Sequence, residues 1–128
     1  MILRYTILYV ENVPATLAFF NQAFGVETEF LTESHDYGNL KTGDMKLAFS
    51  SVSLMKSLGK NPSPADADAP TFEIAFETDD VAAAFQRAKN AGAKVIQEPR
   101  DEPWGQTTAY VSDINGYLVE ICSAVAGA

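Results

Sequence analysis

The alternation of hydrophobic and polar residues repeats in two parts of the chain. Residues 5–13 and 73–81 each predict a strand followed by a helix cap, and each helical run ends at a glycine, Gly25 or Gly92. The same spacing separates Tyr5 from Glu73 and Val13 from Val81. Half-units of this size are too small to bury a core alone, so we predict one domain over residues 1–128 with a pseudo-symmetric cleft.

The first half predicts a β-strand, an α-helix and three further strands. Residues 2–10 are rich in β-branched and aromatic side chains, which is typical of a strand. Asn12 is suited to cap the following helix and Pro14 to its first turn. Short strands are then predicted over residues 28–31, 37–42 and 45–50, so the first module spans residues 1–50.

Residues 51–70 predict a connection between the halves. A short helix is predicted over residues 51–58, followed by a stretch with three prolines and few large apolar residues, which we expect to be mobile. The second module, residues 71–124, repeats the first. Its strands are predicted over residues 71–78, 94–97, 107–111 and 117–122, with Asp79 or Asp80 capping the helix and Asn115-Gly116 at the last turn.

Strand alternation separates two faces of each predicted sheet. Val119 and Ile121 fall on the apolar face, which is expected to pack on the helices, and Glu120 falls on the other. Glu73 likewise falls on the face opposite the apolar residues of its own strand. Burying a bare carboxylate against helices would cost several kcal/mol. Both glutamates are therefore expected on the face without helices, which is free to form a cup.

Composition and charge exclude several classes of protein. The chain is 47% hydrophobic with a net charge of −8, which is typical of a globular protein and unsuited to nucleic acid or anionic membranes. No apolar run is long enough to span a bilayer. The first residues lack the pattern of a signal peptide, and the single cysteine, Cys122, cannot form an internal disulfide. These features predict a cytoplasmic protein.

Three segments resemble the vicinal oxygen chelate superfamily, which includes glyoxalase I, bleomycin-resistance proteins and extradiol dioxygenases. They are residues 8–13 with Gly25, residues 76–81 with Ala91-Gly92-Ala93, and the run from Pro103-Trp104-Gly105-Gln106 to residues 118–121. The resemblance implies an α+β fold of two βαβββ modules. Their mixed sheet would form a cup with helices on its outer face, the glyoxalase/bleomycin resistance fold. It also implies a homodimer.

The resemblance further implies where a metal would bind, namely at Tyr5, Ala48, Glu73 and Glu120. Alanine has no donor atom, and a tyrosine phenol stays protonated at neutral pH without strong help. Glu73 and Glu120 remain, and two carboxylates hold a hard cation weakly. No tightly bound cofactor is therefore expected, although a divalent cation such as Mn, Ni, Mg or Zn stays an alternative at these two glutamates.

Other residues are candidates for lining a ligand pocket. The side chains that share the cup-facing register are Tyr5, Tyr9, Lys46, Ser50 and Tyr110. Trp104 could stack on a flat ligand or instead fill a core or a dimer interface. We interpret Cys122 as a structural thiol, His35 as a solvated loop residue and the charged run 98–103 as a solvated loop.

Two functional hypotheses follow. The first is a protein that binds a small organic molecule in the cup, with Glu73 and Glu120 as its principal groups and no chemistry required. The alternative is a metal-dependent lyase, isomerase or dioxygenase that acts on a vicinal-oxygen substrate, similar to lactoylglutathione lyase, with the two glutamates as catalytic residues. A third possibility, an interaction module, has no positive support. In a further alternative, the two carboxylates serve only to hydrogen-bond neighbouring phenols or water.

Overall fold

The computed structural model describes residues 1–125, and its architecture confirms the predicted α+β fold with two βαβββ modules. The chain divides into two compact units, residues 1–63 and the chain from residue 64 onward. Each unit contains a four-stranded mixed sheet that is not closed into a barrel. The sequence predicts modules over residues 1–50 and 71–124. This division into compact units does not test those boundaries, which stay a prediction.

The first unit holds four strands and two helices. Its sheet has the order β1-β4-β3-β2, in which β1 and β4 run parallel and the other pairs are antiparallel. The elements are β1 (Tyr5–Val10), α1 (Val13–Phe24), β2 (Thr28–Leu31), β3 (Tyr37–Leu40), β4 (Lys46–Ser51) and α2 (Val52–Ser57).

Helix α1 begins and ends where the sequence predicts. The Asn12 side chain accepts a hydrogen bond from the backbone N–H of Ala15 at 2.9 Å, and Gly25 ends the helix in the left-handed conformation with φ 70°. The helix buries Phe20 against Phe49 of β4, with ring centroids 5.1 Å apart. This contact covers one face of the sheet.

The second unit repeats the arrangement. Its sheet has the order β5-β8-β7-β6, with β5 and β8 parallel. The elements are β5 (Ile74–Glu77), α3 (Val81–Asn90), β6 (Lys94–Asp101), β7 (Thr107–Ser112) and β8 (Leu118–Cys122). Asp80 caps α3 by accepting the N–H of Ala83 at 3.0 Å. The core joins α3 to the sheet through the buried residues Val81, Phe85, Ala88, Ala109, Val111, Val119 and Ile121.

Three strands, β1, β5 and β6, differ most from their predicted limits. β1 begins at Tyr5 and β5 at Ile74, so the preceding apolar residues lie outside the ladders. The prediction of a loop over residues 98–103 is wrong for its first part, because β6 continues to Asp101. The ladder with β7 shifts register between Gln97 and Arg100, and this bulge accommodates Pro99, which has no N–H to donate.

The connection between the units is anchored at its second end. A Cβ atom added to Gly116 would lie 2.5 Å from the carbonyl oxygen of Ala65, so residues 65–66 lie directly against the β7–β8 turn. The same stretch forms a turn in which the N–H of Ala69 donates to the carbonyl of Asp66 at 3.0 Å. The proline-rich composition did not indicate this contact, because it depends on a residue distant in sequence.

Candidate functional site

Two glutamates and one tyrosine meet on the face of the second sheet that carries no helix. The Tyr110 hydroxyl lies 2.7 Å from Oε2 of Glu120 and 3.2 Å from Oε2 of Glu73. We call these three residues the carboxylate–phenol site. Its members come from β7, β8 and the residue just before β5.

Strand register explains why these side chains converge. Tyr110 and Glu120 are direct partners in the antiparallel β7–β8 ladder, and Ala75 is the partner of Glu120 in the parallel β5–β8 ladder. Glu73 precedes Ala75 by two positions, and strand residues two apart lie on the same face. Val119, next to Glu120, is fully buried on the opposite face with the helix. The sequence prediction about the two glutamate faces is therefore confirmed.

The hydrogen bonds at this site are unequal. A phenol has one proton, so Tyr110 donates fully to one carboxylate at a time, and Glu120 has the shorter distance. Glu73 is exposed, whereas Tyr110 and Glu120 are half-buried. The Glu73 carboxylate is therefore the one that can accept a further hydrogen bond from an N–H or O–H group of a ligand.

Burial and the carboxylates keep the phenol protonated. Burial is the largest cause that raises the pKa of Tyr110 above its ordinary value of 10.0, followed by the hydrogen bond to Glu120 and the charges of Glu120 and Glu73. At neutral pH the site therefore combines two carboxylates with a neutral hydrogen-bond donor.

Cys122 lies next to this site and stays a thiol. Burial raises its pKa first, and the charge and hydrogen bond of Glu120 and the charge of Glu77 raise it further. A hydrogen bond from the side chain of Gln106 offsets part of this effect. Because the thiolate is the reactive form, these surroundings support the interpretation of Cys122 as structural.

The second unit carries almost all of the net charge of −8. Two of its basic side chains are paired, Lys94 with Asp68 at 3.8 Å and Arg100 with Glu102 at 2.6 Å. The other two, Arg87 and Lys89, lie in the last turn of α3. None of the four belongs to the β5–β8 or β7–β8 ladder, and the two carboxylates of the site favour a cation over an anion.

The donor set fits a metal ion poorly. Among residues 1–125, no group of three or more His, Cys, Asp or Glu side chains is arranged to hold a metal. Tyr110 could become a third ligand only as a phenolate, and its raised pKa opposes the loss of that proton. Zinc and nickel prefer nitrogen or sulfur donors, and the neighbouring Cys122 offers only a thiol whose raised pKa opposes its conversion to a thiolate. These donors therefore do not support a reaction step through a metal.

The first sheet holds four of the other predicted pocket residues, Tyr5, Tyr9, Lys46 and Ser50. Tyr5 is the ladder partner of Lys46, and Tyr9 is the ladder partner of Ser50, so the four share a face. The Lys46 ammonium is already paired with the Glu29 carboxylate at 2.9 Å, and this hydrogen bond is the main cause that lowers the pKa of Glu29. The sequence reasoning missed Glu29, because a β-bulge between Thr28 and Phe30 alters the strand alternation there.

The first unit has other residues at the ladder positions that match the carboxylate–phenol site. Ala48 faces Asn39 across the β3–β4 ladder, in the place where Glu120 faces Tyr110. Ala48 is fully buried and has no polar atom in its side chain. The first unit therefore retains the strand arrangement without the acidic pair.

Trp104 and His35 lie in exposed loops. The Trp104 indole N–H donates to Oε1 of Gln106 at 2.7 Å, and 57% of the tryptophan is exposed. It makes no direct hydrogen bond to the two glutamates. Gln106 is a residue that sequence reasoning missed, since a glutamine after a turn glycine gives no signal of its own. His35 is the one non-glycine residue with positive φ, 62°, in the part of the chain that the structure describes.

The paired modules and the helix-free acidic face define a class of protein built from duplicated βαβββ units. The sequence model of the Glyoxalase/Bleomycin resistance protein/Dioxygenase superfamily matches residues 2–121. The chain belongs to this superfamily. In residues 1–125, no helix has both the length and the apolar character needed to cross a membrane.

Solved structures show the same fold at low sequence identity. A glyoxalase-related enzyme from Fulvimarina pelagi is 19% identical with a TM-score of 0.83, covering 97% of this chain and 88% of that one. A glyoxalase/bleomycin resistance protein/dioxygenase family enzyme from Burkholderia phytofirmans PsJN is 21% identical with a TM-score of 0.79, covering 98% and 100%. TioX from Micromonospora sp. ML1 is 20% identical with a TM-score of 0.73, covering 96% and 98%. No curated protein matches the chain.

Proposed function

We propose that this protein binds a small organic molecule at the carboxylate–phenol site without a tightly bound catalytic metal. The observation that carries the proposal is the shared contact of Glu73 and Glu120 with one phenol proton. This arrangement offers more acceptors than donors, so it suits a ligand that brings N–H or O–H groups. A protonated amine or a polyhydroxy compound has this property.

Electrostatics favours the amine. A cation is attracted to a face where two carboxylates lie close together, and an anionic ligand would be repelled. Charge-assisted hydrogen bonds are also roughly twice as strong as neutral ones. The ligand would complete the hydrogen bonding of Glu73, the exposed member of the pair.

Calorimetric titration with matched amine and alcohol compounds tests this function. We expect an aliphatic or aromatic amine to bind and its alcohol counterpart to bind at least tenfold more weakly. Glu73→Gln and Glu120→Gln should each reduce amine affinity by about tenfold, and Glu98→Gln, on the exposed strand β6, should leave it unchanged. Equal affinity of all three variants and the unmodified protein would contradict the proposal.

Metal titration tests the alternative of a metal-dependent lyase, isomerase or dioxygenase. Protein purified without chelators or an affinity tag would be titrated with Mn, Ni, Mg and Zn. We expect only weak metal binding, because two carboxylates leave the other coordination positions to water. Stoichiometric binding that Glu120→Ala abolishes would replace the binding function with the enzymatic one.

We also propose that the protein is a cytoplasmic homodimer. The exposed apolar residues Met1, Ile2 and Leu3 precede β1, an edge strand of the first sheet, and such a surface suits an interface. A single protonated cysteine suits a reducing compartment. Light scattering after gel filtration should give twice the chain mass of 13.9 kDa, and a mass equal to one chain would refute the dimer.

A further inference from the structure

Two oxygen atoms on the first sheet have no hydrogen-bond partner, although their residues are almost completely covered. Ser50 is 3% exposed and Asn39 is 6% exposed. Within residues 1–125, the Ser50 hydroxyl makes no hydrogen bond, and the Asn39 side chain bonds only through Nδ2. No fully buried side-chain N or O atom in that range lacks a partner, so both free oxygens have to reach solvent. Polar groups of such covered residues are usually hydrogen-bonded, so these two point to a ligand.

The orientation of the Asn39 amide is fixed by two acceptors. Its Nδ2 donates to Oε1 of Glu29 at 3.3 Å and to the carbonyl oxygen of Leu40 at 3.2 Å. An amide oxygen in this place would face two other oxygens, so the nitrogen belongs there and Oδ1 is the free end. Asn39 therefore offers a ligand one acceptor and no donor.

Both residues lie on the face of the first sheet opposite α1. Phe49 of β4 packs on that helix, and its neighbours Ala48 and Ser50 project from the other side of the strand. Asn39 is the ladder partner of Ala48, so its side chain shares this face. Because alanine and serine are short, β4 forms the floor of a recess there.

Tyrosines on the two neighbouring strands stand beside this floor. Tyr9 of β1 and Tyr37 of β3 are each the direct ladder partner of Ser50, and both are half-buried. Adjacent strands are about 4.8 Å apart, so the two tyrosine Cα atoms lie about 10 Å apart with the serine between them. The Tyr37 ring contacts the Phe30 ring, with centroids 6.4 Å apart, and no ring contact joins it to Tyr9 in the described part of the chain.

This spacing suits one flat ring without charge. Interacting aromatic rings have centroids roughly 4.5–7 Å apart, and a ring above Ser50 would lie about 5 Å from each tyrosine. Burial is the largest cause that raises the pKa of Tyr37 above its ordinary value of 10.0, so this phenol stays neutral. Lys46 shares the face, and its ammonium is already paired with the Glu29 carboxylate at 2.9 Å. Because that charge is neutralised, the face favours an uncharged ligand.

We propose that the recess above Ser50, which Tyr9 and Tyr37 flank, is a second ligand site that binds an uncharged flat aromatic ring with an N–H or O–H donor at its edge. We call it the tyrosine slot. The ring would lie between the two phenols, with its donor directed to Oδ1 of Asn39. Successive rows on one face are about 7 Å apart, which a fused two-ring molecule spans above the short Ala48 side chain. The slot shares no residue with the carboxylate–phenol site and does not depend on the proposed function.

Three uncharged lactams test the ligand class. 2-Quinolinone has a flat fused ring with an N–H donor, 1-methyl-2-quinolinone has the same ring without the donor, and decahydro-2-quinolinone keeps the lactam in a saturated ring. Calorimetry should show that 2-quinolinone binds about three- to tenfold more tightly than either of the others, because one loses a hydrogen bond and the other loses stacking. In two-dimensional NMR spectra, the amide shifts of residues 37–39 and 48–50 should change on binding of 2-quinolinone.

Substitutions in the slot separate binding from folding. Ser50→Ala removes a hydroxyl that has no protein partner, so it should leave the melting temperature unchanged and weaken 2-quinolinone binding by about threefold. Ser53→Ala, at an exposed position of α2, is the matched control and should change neither. Tyr37→Leu should weaken binding by about three- to tenfold, and Tyr37→Phe should retain it, because phenylalanine keeps the ring.

The outcomes separate this site from the proposed function. The slot is overturned if 2-quinolinone does not bind, if either comparison lactam binds equally well, or if Ser50→Ala and Tyr37→Leu leave its affinity unchanged. If Glu120→Gln weakens 2-quinolinone as strongly as Ser50→Ala does, the ring is held at the carboxylate–phenol site and the slot is wrong. If Glu73→Gln and Glu120→Gln leave amine binding unchanged while Ser50→Ala weakens 2-quinolinone, the proposed function fails and the slot stands.

Discussion

Tyr110 and Glu120 face each other directly across the β7–β8 ladder and are joined by a hydrogen bond of 2.7 Å. Directly opposite side chains in an antiparallel pair are close enough to interact without a change in the backbone. The core of the candidate site is therefore fixed by strand pairing, and only Glu73 joins it from outside the ladder. Substitutions at the three positions can separate this pairing from ligand binding.

Tyr110→Phe should remove the hydrogen bond and retain the ring. We expect a loss of about 1 kcal/mol in the free energy of unfolding, because the carboxylates are accessible enough to be hydrated in its place. The measurement is urea denaturation at pH 7. Phenylalanine adds no bulk, so a loss of more than about 3 kcal/mol would show that the phenol supports the core rather than the site.

The two glutamates should respond unequally to neutralisation. Glu120 has the shorter bond and is half-buried, whereas Glu73 is exposed. Glu120→Gln should therefore change the titration of Tyr110, followed by its absorbance at high pH, more than Glu73→Gln does. Both changes should lower the pKa of Tyr110, because each removes a negative charge that raises it. An unchanged titration in Glu120→Gln would contradict the contact.

Alkaline pH should destabilise the fold through Tyr110 and Cys122. Both have a pKa raised above the ordinary value, 10.0 for the phenol and 9.0 for the thiol. Above about pH 9 the unfolded chain loses these protons first, so it binds fewer protons than the folded chain and stability falls as pH rises. Below about pH 8 both groups are protonated in the folded and the unfolded chain, so neither contributes to a pH dependence.

Thermal melts between pH 8 and pH 11 would measure this effect. The Tyr110→Phe variant should show a shallower fall in melting temperature above about pH 10, the ordinary pKa of the phenol. The Cys122→Ala variant should do so above about pH 9, the ordinary pKa of the thiol. Cys122→Ala also creates a small cavity, so its melting temperature at pH 7 is the reference for its own series. Parallel curves for both variants and the unmodified protein would refute the role of these two groups.

Gly116→Ala should be more damaging than Gly43→Ala. Both glycines have positive φ, 96° and 98°, so each alanine suffers the same backbone strain of about 1 kcal/mol. Nothing lies within 4 Å of the added Cβ at Gly43, whereas at Gly116 it would lie 2.5 Å from the Ala65 carbonyl oxygen. The difference between the two variants isolates this contact.

Chemical denaturation gives that difference directly. We expect Gly116→Ala to lose at least about 1 kcal/mol more than Gly43→Ala, because a backbone carbonyl cannot rotate away as a side chain does. Equal losses would mean that residues 65–66 move away from the turn at little cost. The connection would then be as mobile as its composition predicts.

The local sequence pattern predicted the two faces of the strands and the ends of the helices. Features that depend on contacts between residues far apart in sequence could not be predicted from it. Asn12 and Gly25 act within a few residues of themselves, so their roles as caps followed from sequence alone, whereas the α3 cap was narrowed to Asp79 or Asp80 and the structure identifies Asp80. The faces of Glu73 and Glu120 also followed, because alternation has a fixed period, but their convergence depends on the pairing of β5 with β8. Gln106 could not be found in this way. Its partners Trp104 and Ser123 are joined only when the loop meets the end of β8.

The caps of α1 and α3 allow a test of whether the two repeated helices begin for the same physical reason. Asn12 and Asp80 accept N–H groups at 2.9 and 3.0 Å, from Ala15 and Ala83 respectively. Asn12→Ala and Asp80→Ala should each cost about 1 kcal/mol in urea denaturation, since each leaves the same kind of donor without its partner. Asp80→Asn retains the acceptor and should recover most of the loss. If Asp80→Asn is as harmful as Asp80→Ala, the charge rather than the cap bond stabilises α3, and the two helices begin for different physical reasons.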